Sequence, residues 1–187
     1  MPRQVFRYDP PIRFVAGTVG GPGERTFYLQ ARSVEQTTSV LLEKEQVAAL
    51  AERVDELLDR VVLRSSGETP VPAIVPAALA DAAPLDLPLV EEFRVGPIAL
   101  AWDEEAERLV IEAHAQEDQE TGPPPFGDDD ADNGPDVLVV RLTGPMARAF
   151  ASRSLALVSA GRPPCPLCGN PLDPAGHLCP RKNGKLR

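Results

Sequence analysis

The sequence predicts an α+β fold made of duplicated β-β-β-α units with antiparallel sheet, followed by a small zinc-ribbon-like module. In each half of the chain, segments of alternating apolar and polar residues precede one amphipathic helical segment. The C-terminal stretch instead holds all three cysteines and one of the two histidines. We therefore expect a first unit, a proline-rich crossover, a second unit and a zinc-binding tail, over residues 1–64, 65–92, 93–160 and 161–187.

The first unit is predicted from three strand patterns and one helix pattern. Strands are expected over residues 12–19, 25–32 and 37–42, because apolar side chains there form a continuous run or alternate with polar ones. A helix is expected over residues 43–63. Its apolar residues follow the i, i+3, i+4, i+7 spacing of one buried face: Val47, Leu50, Ala51, Val54, Leu57, Leu58 and Val61.

The second unit repeats this order. Strands are expected over residues 93–102, 108–115 and 137–142. A helix is expected from Gly144 to about residue 158, because the proline that follows Gly144 suits a first helical turn. We expect one helix from each half to cover the apolar face of the sheet.

The two halves also align with each other, which favours an internal duplication. Residues 40–58 align with residues 140–158, and residues 27–31 align with residues 109–113. The alternative is that any two β-β-β-α units share such a pattern. A ligand site at the junction of the two halves is compatible with either origin.

Two segments are expected to be irregular. Five prolines exclude a long helix from the crossover, which we interpret as a stiff surface connection with a short helix over residues 77–83; a proline-motif ligand is the alternative. Residues 117–136 carry eight acidic residues and no lysine or arginine, which predicts a solvated loop. A divalent-cation site at residues 128–132 is the alternative reading of that loop.

The tail carries a pattern of metal ligands with the spacing C-x2-C-x8-H-x-C. Four such ligands fill the tetrahedral shell of a structural zinc ion. The tail has few apolar side chains, so zinc would supply folding free energy that burial cannot. A redox pair of the first two cysteines and a metal-free tail are the alternatives. The predicted ligands of Zn²⁺ are Cys165, Cys168, His177 and Cys179.

Charge and composition limit the classes of partner. The formal net charge is −9, which argues against the whole surface binding nucleic acid or an anionic membrane. The tail is basic, however, so Arg181 and Lys182 are candidate partner contacts and nucleic-acid binding is an alternative function. The tail has no aromatic side chain on which a base could stack, which weakens that alternative.

We expect a protein of the reducing cytoplasm. No apolar signal segment or membrane span is evident in the sequence, and the metal pattern uses every cysteine, which leaves none for a disulfide. No catalytic constellation is recognised, so an enzyme is the less favoured class. The candidate contacts for a small ligand are Arg13, Arg32 and His114, with the histidine expected to be a partly exposed structural residue.

Several stretches closely resemble an actinobacterial family classed as a domain of unknown function. The resemblance is carried by residues 8–20 (YDPPIRFVAGTVG), 25–31 (RTFYLQA) and 42–46 (LEKEQ), and by residues 165–169 (CPLCG) and 176–181 (GHLCPR). It implies membership of a trio with a phosphoinositide-kinase-like protein and a histidine-phosphatase-like phosphomutase. It implies no catalytic residues.

Three functional hypotheses follow. The first is a zinc-binding cytoplasmic accessory or adaptor protein that acts through protein–protein contacts, with the kinase-like protein as the first partner to test. The second is an enzyme or binding protein for a small phosphorylated ligand at the junction of the halves. The third is nucleic-acid binding through the basic zinc tail.

Overall fold

Seven strands and two α-helices form the part of the chain that the computed structural model describes, which is residues 3–21, 23–66, 68–117, 134–161, 165–168, 179 and 181. In chain order they are β1 (Val5–Tyr8), β2 (Arg13–Val19), β3 (Thr26–Arg32), β4 (Thr37–Leu42), α1 (Lys44–Arg64), β5 (Glu91–Asp103), β6 (Arg108–Ala115), β7 (Val137–Thr143) and α2 (Gly144–Ser159). The crossover adds one short 3₁₀ helix, Ala77–Leu79, where the sequence predicts a longer one.

The strands form one mixed sheet in the order β1-β7-β6-β5-β4-β3-β2. Within each half the neighbouring strands are antiparallel, as the sequence predicts, and all but the β6–β7 pair are joined by short connections. The expectation of a purely antiparallel sheet is nevertheless wrong, since β4 pairs with β5 in parallel and β1 pairs with β7 in parallel. Helix α1 and the crossover form the long connection that a parallel pair requires.

Strand β1 is an element that the sequence analysis does not predict. It has only four residues, and its partner β7 lies more than a hundred residues along the chain. The β-β-β-α order nevertheless recurs as β2-β3-β4-α1 and β5-β6-β7-α2. The unit boundaries given above stay predictions, and residues 118–133 of the acidic loop lie outside the described residues.

Helix α2 connects the two halves. It belongs to the second half, yet it packs on β2 of the first half as well as on β6, β7 and helix α1. Its buried Phe150 ring lies 4.7 Å from the ring of Phe14 on β2, measured between centroids. The start of the helix is fixed locally, because the Thr143 hydroxyl accepts a hydrogen bond from the backbone N–H of Met146 at 3.4 Å.

Helix α2 is also tied to helix α1 by a buried arginine. Arg148 donates through Nη1 to Asp55 at 2.6 Å and through Nη2 to Asp59 at 2.8 Å. Its Nε donates to the carbonyl of Pro72 at 3.1 Å, which fixes the start of the crossover. One guanidinium group therefore holds two helices and the segment that follows the first of them. Neither described helix combines the length and the apolarity that a membrane crossing requires.

We expect Arg148→Met to lower the free energy of unfolding by about 2 kcal/mol, because it removes charged hydrogen bonds and leaves a carbonyl without its donor. The matched change Asp59→Asn should cost less than about 1 kcal/mol, since the Asp59 side chain is 63% exposed. Urea unfolding followed by circular dichroism measures both. A loss below about 0.5 kcal/mol for the arginine variant would contradict this account of how the helices are held.

Candidate metal centre and arginine cluster

The three cysteines of the tail come together in the structure. Cys165, Cys168 and Cys179 place their Sγ atoms within 4.8 Å of one another. Cys165 is 2% exposed and Cys179 is 0% exposed, while Cys168 is half-buried. Two buried thiols and a half-buried one, which lie up to fourteen positions apart in the sequence, make this cluster a possible metal site.

The distances fit a metal centre better than a disulfide. Sγ of Cys165 lies 3.9 Å from Sγ of Cys179, and none of the three cysteines is in a disulfide. Two thiolates on a tetrahedral zinc ion, each with a Zn–S bond of about 2.3 Å, are about 3.8 Å apart. A disulfide would bring the two sulfurs to about 2.0 Å. The cluster is therefore a possible metal site that supplies three sulfur ligands.

The fourth predicted ligand and part of the basic tail cannot be placed. His177 and Lys182 lie outside the described residues, so their roles stay predictions. Arg181 is described and is exposed to solvent. The nucleic-acid alternative, which depends on this basic segment, also stays a prediction.

A second cluster forms where the two halves and the crossover meet. Arg13 on β2 and Arg32 on β3 are directly paired across the two strands. Arg153 reaches the same place from helix α2. The crossover contributes two carboxylates, Asp81 and Asp86, which lie among the three guanidinium groups. We call these five residues the arginine cluster.

Asp81 is the centre of the arginine cluster. Arg13 donates to its carboxylate through Nε at 2.6 Å and through Nη2 at 3.1 Å, a bidentate pair. Arg153 donates to the same carboxylate through Nη1 at 2.9 Å. The hydrogen bond from Arg13 is the main reason that the pKa of Asp81 falls to about 2, with the backbone N–H of Ala83 and the charge of Arg153 adding to it. Asp81 is therefore ionised at neutral pH.

The remaining guanidinium N–H groups of Arg13 and Arg153 hold the backbone of the crossover. Both donate to the carbonyl of Ala83, Arg13 also to that of Pro84, and Arg153 also to that of Asp81. Nε of Arg153 donates across to the carbonyl of Ala16 on β2 at 3.1 Å. Burial of the Arg153 side chain lowers the pKa of this residue, whereas the hydrogen bond to Asp81 raises the pKa of Arg13.

A cavity of about 460 Å³ opens beside the arginine cluster. Its walls come from strand β2, helix α2 and the 3₁₀ segment of the crossover, so both halves contribute to it. Apolar side chains form much of the lining, and the three arginines and Asp81 form the polar part. The lining includes Phe14, Arg32, Leu79, Met146, Ala149 and Phe150.

His114 is not part of this site. It is absent from the cavity lining, and it is 2% exposed on β6, so the expectation of a partly exposed histidine is wrong. Its Nε2 lies 3.5 Å from Oε2 of the equally buried Glu112, and neither ring nitrogen makes a hydrogen bond in the described part of the chain. Burial lowers the pKa of His114, and the charge of Arg3 lowers it further. The ring is therefore neutral at neutral pH.

The sequence reasoning missed three members of the arginine cluster, which are Asp81, Asp86 and Arg153. Of these, Asp81 and Arg153 each carry a weak signal. Asp81 is the first acid in an alanine- and proline-rich segment, and Arg153 lies in the last helix beside its apolar stripe. A residue with either signal is usually exposed to solvent. The signal becomes informative only when the crossover is known to fold back on β2.

The fold and the cysteine cluster define an α+β protein with a seven-stranded mixed sheet and a possible metal site near its C-terminus. A family model described as "Protein of unknown function (DUF3090)" matches residues 6–179. The chain therefore belongs to the DUF3090 family. No curated protein and no solved structure matches the chain.

We expect Asp81→Asn to lower the free energy of unfolding by about 1–2 kcal/mol at pH 7, allowing for the partial exposure of the carboxylate. The folded-state pKa of Asp81 is depressed to about 2, so its contribution is present above the unfolded pKa and is lost as the pH falls towards 2. Urea unfolding from pH 7 downwards measures the difference.

The difference between the original protein and the Asp81→Asn variant should begin to shrink below about pH 4. Glu35→Gln, at an exposed turn, is the control and should show no comparable loss. A constant difference across this pH range would contradict the assignment of the effect to the Asp81 charge.

Proposed function

We propose that the chain is a zinc-stabilised cytoplasmic accessory protein that works by docking to a protein partner. The observation that carries this proposal is the cluster of three thiols in the tail, two of them buried, with the 3.9 Å separation between Sγ of Cys165 and Sγ of Cys179 that suits a tetrahedral metal ion. The metal holds the tail in a defined shape, and the tail together with the body presents the contact surface.

The donor set favours a structural role for the ion. Three cysteine sulfurs and the predicted ligand His177 fill the four positions of a tetrahedral zinc ion, which leaves no open position for water or substrate. Soft thiolate ligands also favour zinc over magnesium or calcium, which prefer oxygen. In this proposal the zinc ion supplies folding free energy to the tail and takes no part in a reaction.

The basic groups of the body also support binding over catalysis. Arg13 and Arg153 donate hydrogen bonds to Asp81 and to crossover carbonyls, so they hold the crossover in place. His114, the one imidazole candidate for a general base, is buried away from the cavity. The crossover meanwhile exposes the apolar side chains of Ile74 and Leu87, which suit a protein contact.

The repeated order of elements supports duplication as the origin of the body. Each half contributes three antiparallel strands and one helix to a common core, and the two helices pack on each other. In this proposal the duplicated body is the scaffold, and the crossover and the zinc tail are the parts that differ from a simple repeat.

We expect the intact protein, purified without chelators, to contain about one zinc ion per chain when measured by inductively coupled plasma mass spectrometry. The Cys165→Ser/Cys179→Ser variant should lose almost all of it, because serine is not a ligand that zinc prefers. Cobalt substitution should give the visible spectrum of a tetrahedral thiolate site in the intact protein alone.

Leu167→Ala is the matched control for this experiment. Leu167 lies between the first two cysteines and its side chain is 38% exposed, so its loss should leave the zinc content unchanged. His177→Ala tests the fourth ligand separately. Full zinc occupancy in the double cysteine variant, or an intact protein that contains no zinc, would contradict the assignment of a zinc site.

We expect the phosphoinositide-kinase-like protein implied by the resemblance to bind the intact chain and to bind the Cys165→Ser/Cys168→Ser variant at least about tenfold more weakly. The reason is that a tail without its metal must be ordered at the moment of binding, and this costs affinity. Titration of the two purified proteins, with zinc content recorded, measures the effect. Equal binding of both forms would show that the tail is not the contact.

A further inference from the structure

The cavity beside the arginine cluster has the size and the lining of a small-molecule site. Its volume of about 460 Å³ lies within the range of about 300–1,000 Å³ that is typical of ligand pockets. Phe14, Phe150 and Met146 line it, together with Leu79 of the crossover. Such a lining receives an apolar ligand body of modest size.

Two of the three arginines at this cavity serve as positioning residues. Arg153, and Nε and Nη2 of Arg13, donate to Asp81 and to the carbonyls of the crossover and of β2, while Nη1 of Arg13 faces Oδ2 of Asp86 at 3.3 Å. They therefore keep the 3₁₀ segment in place as a wall of the cavity. A ligand that competed for them would have to displace Asp81 from its bidentate pair.

Arg32 is different, because one edge of its guanidinium group is available. Its Nη1 lies 3.2 Å from Oδ2 of Asp86. Within the described residues, no partner is found for the opposite edge, which carries Nε and Nη2. The side chain is 41% exposed and lines the cavity. An Nε–Nη2 edge fits the two oxygens of a carboxylate in the same side-on geometry that Arg13 uses with Asp81.

The local charge agrees with an anionic ligand. Three guanidinium groups face two carboxylates in the arginine cluster, which leaves one positive charge unmatched. That charge lies at the rim, beside the apolar lining of the cavity. An anion without an apolar part would make no contact with the apolar lining. A neutral apolar molecule would make no ion pair with Arg32.

We propose that this cavity binds an amphipathic carboxylate, whose head pairs with the free edge of Arg32 and whose apolar chain packs against Phe14, Met146 and Phe150. This site is independent of the zinc tail and goes beyond the proposed accessory function. Its occupant would contact both halves of the body and the crossover at once.

The chain offers a direct probe for this site. It has only two methionines, Met1 and Met146, and the second lines the cavity. Protein labelled with ¹³C at the methionine methyl groups is titrated with octanoate, with 1-octanol and with inorganic phosphate. We expect octanoate to shift the Met146 methyl signal in a saturable manner, 1-octanol to bind at least about tenfold more weakly, and phosphate to leave the signal in place.

Variants test the two parts of the site. Arg32→Gln should weaken octanoate about tenfold, to the level of 1-octanol, while the exposed Arg53→Gln on helix α1 is the matched control and should change nothing. Ala149→Trp should fill the cavity and remove octanoate binding.

Three results would overturn the proposal. The first is a Met146 signal that octanoate does not move. The second is equal affinity for octanoate and 1-octanol in the original protein, or octanoate binding that Arg32→Gln leaves unchanged. The third is a saturable shift with inorganic phosphate alone, which would show that the apolar chain is not needed.

Discussion

The ion pairs of Asp81 are the interaction on which the arrangement of the body depends. This carboxylate belongs to an irregular crossover, yet it accepts from Arg13 on β2 and from Arg153 on α2. It therefore joins the edge strand of the first half to the helix of the second half. Together with the hydrogen bonds that Arg13 and Arg153 donate to crossover carbonyls, this contact holds the wall of the cavity against the body.

The regular elements could be predicted from the sequence because their signals are local. The apolar stripe of helix α1 and the alternation of β3 and β6 depend on neighbouring residues. The structure confirms the six predicted strands and the two α-helices within two residues of the expected bounds, but not the length of the crossover helix. Strand β1 and the parallel pairing of β4 with β5 could not be predicted. Both depend on partners that are distant in the chain, and four residues carry little periodicity.

The candidate sites divide in the same way. The cysteine cluster could be predicted from spacing, since a metal ligand set is compact in sequence. Arg13 and Arg32 could be singled out as candidates. The other three members, Asp81, Asp86 and Arg153, could not, because only the folded crossover brings them together. The burial of His114 could not be predicted either. A strand pattern shows which face a side chain takes, but it does not show whether that face is covered.

The tail and the crossover are both irregular segments that need interactions other than apolar burial to hold their conformations. The candidate interactions are a metal ion in the tail and charged hydrogen bonds in the crossover. The tail has few apolar side chains, and the crossover buries few of those that it has, so burial offsets little of the chain entropy of either segment. A structural zinc ion supplies on the order of 10 kcal/mol or more to such a segment, whereas a charge-assisted hydrogen bond contributes about 1.5–3 kcal/mol. The crossover accordingly uses several guanidinium contacts and stays fastened wherever Asp81 is ionised. A metal ion at the cysteine cluster would hold the tail in a way that depends on the supply of metal, whereas the ion pairs of Asp81 depend only on pH.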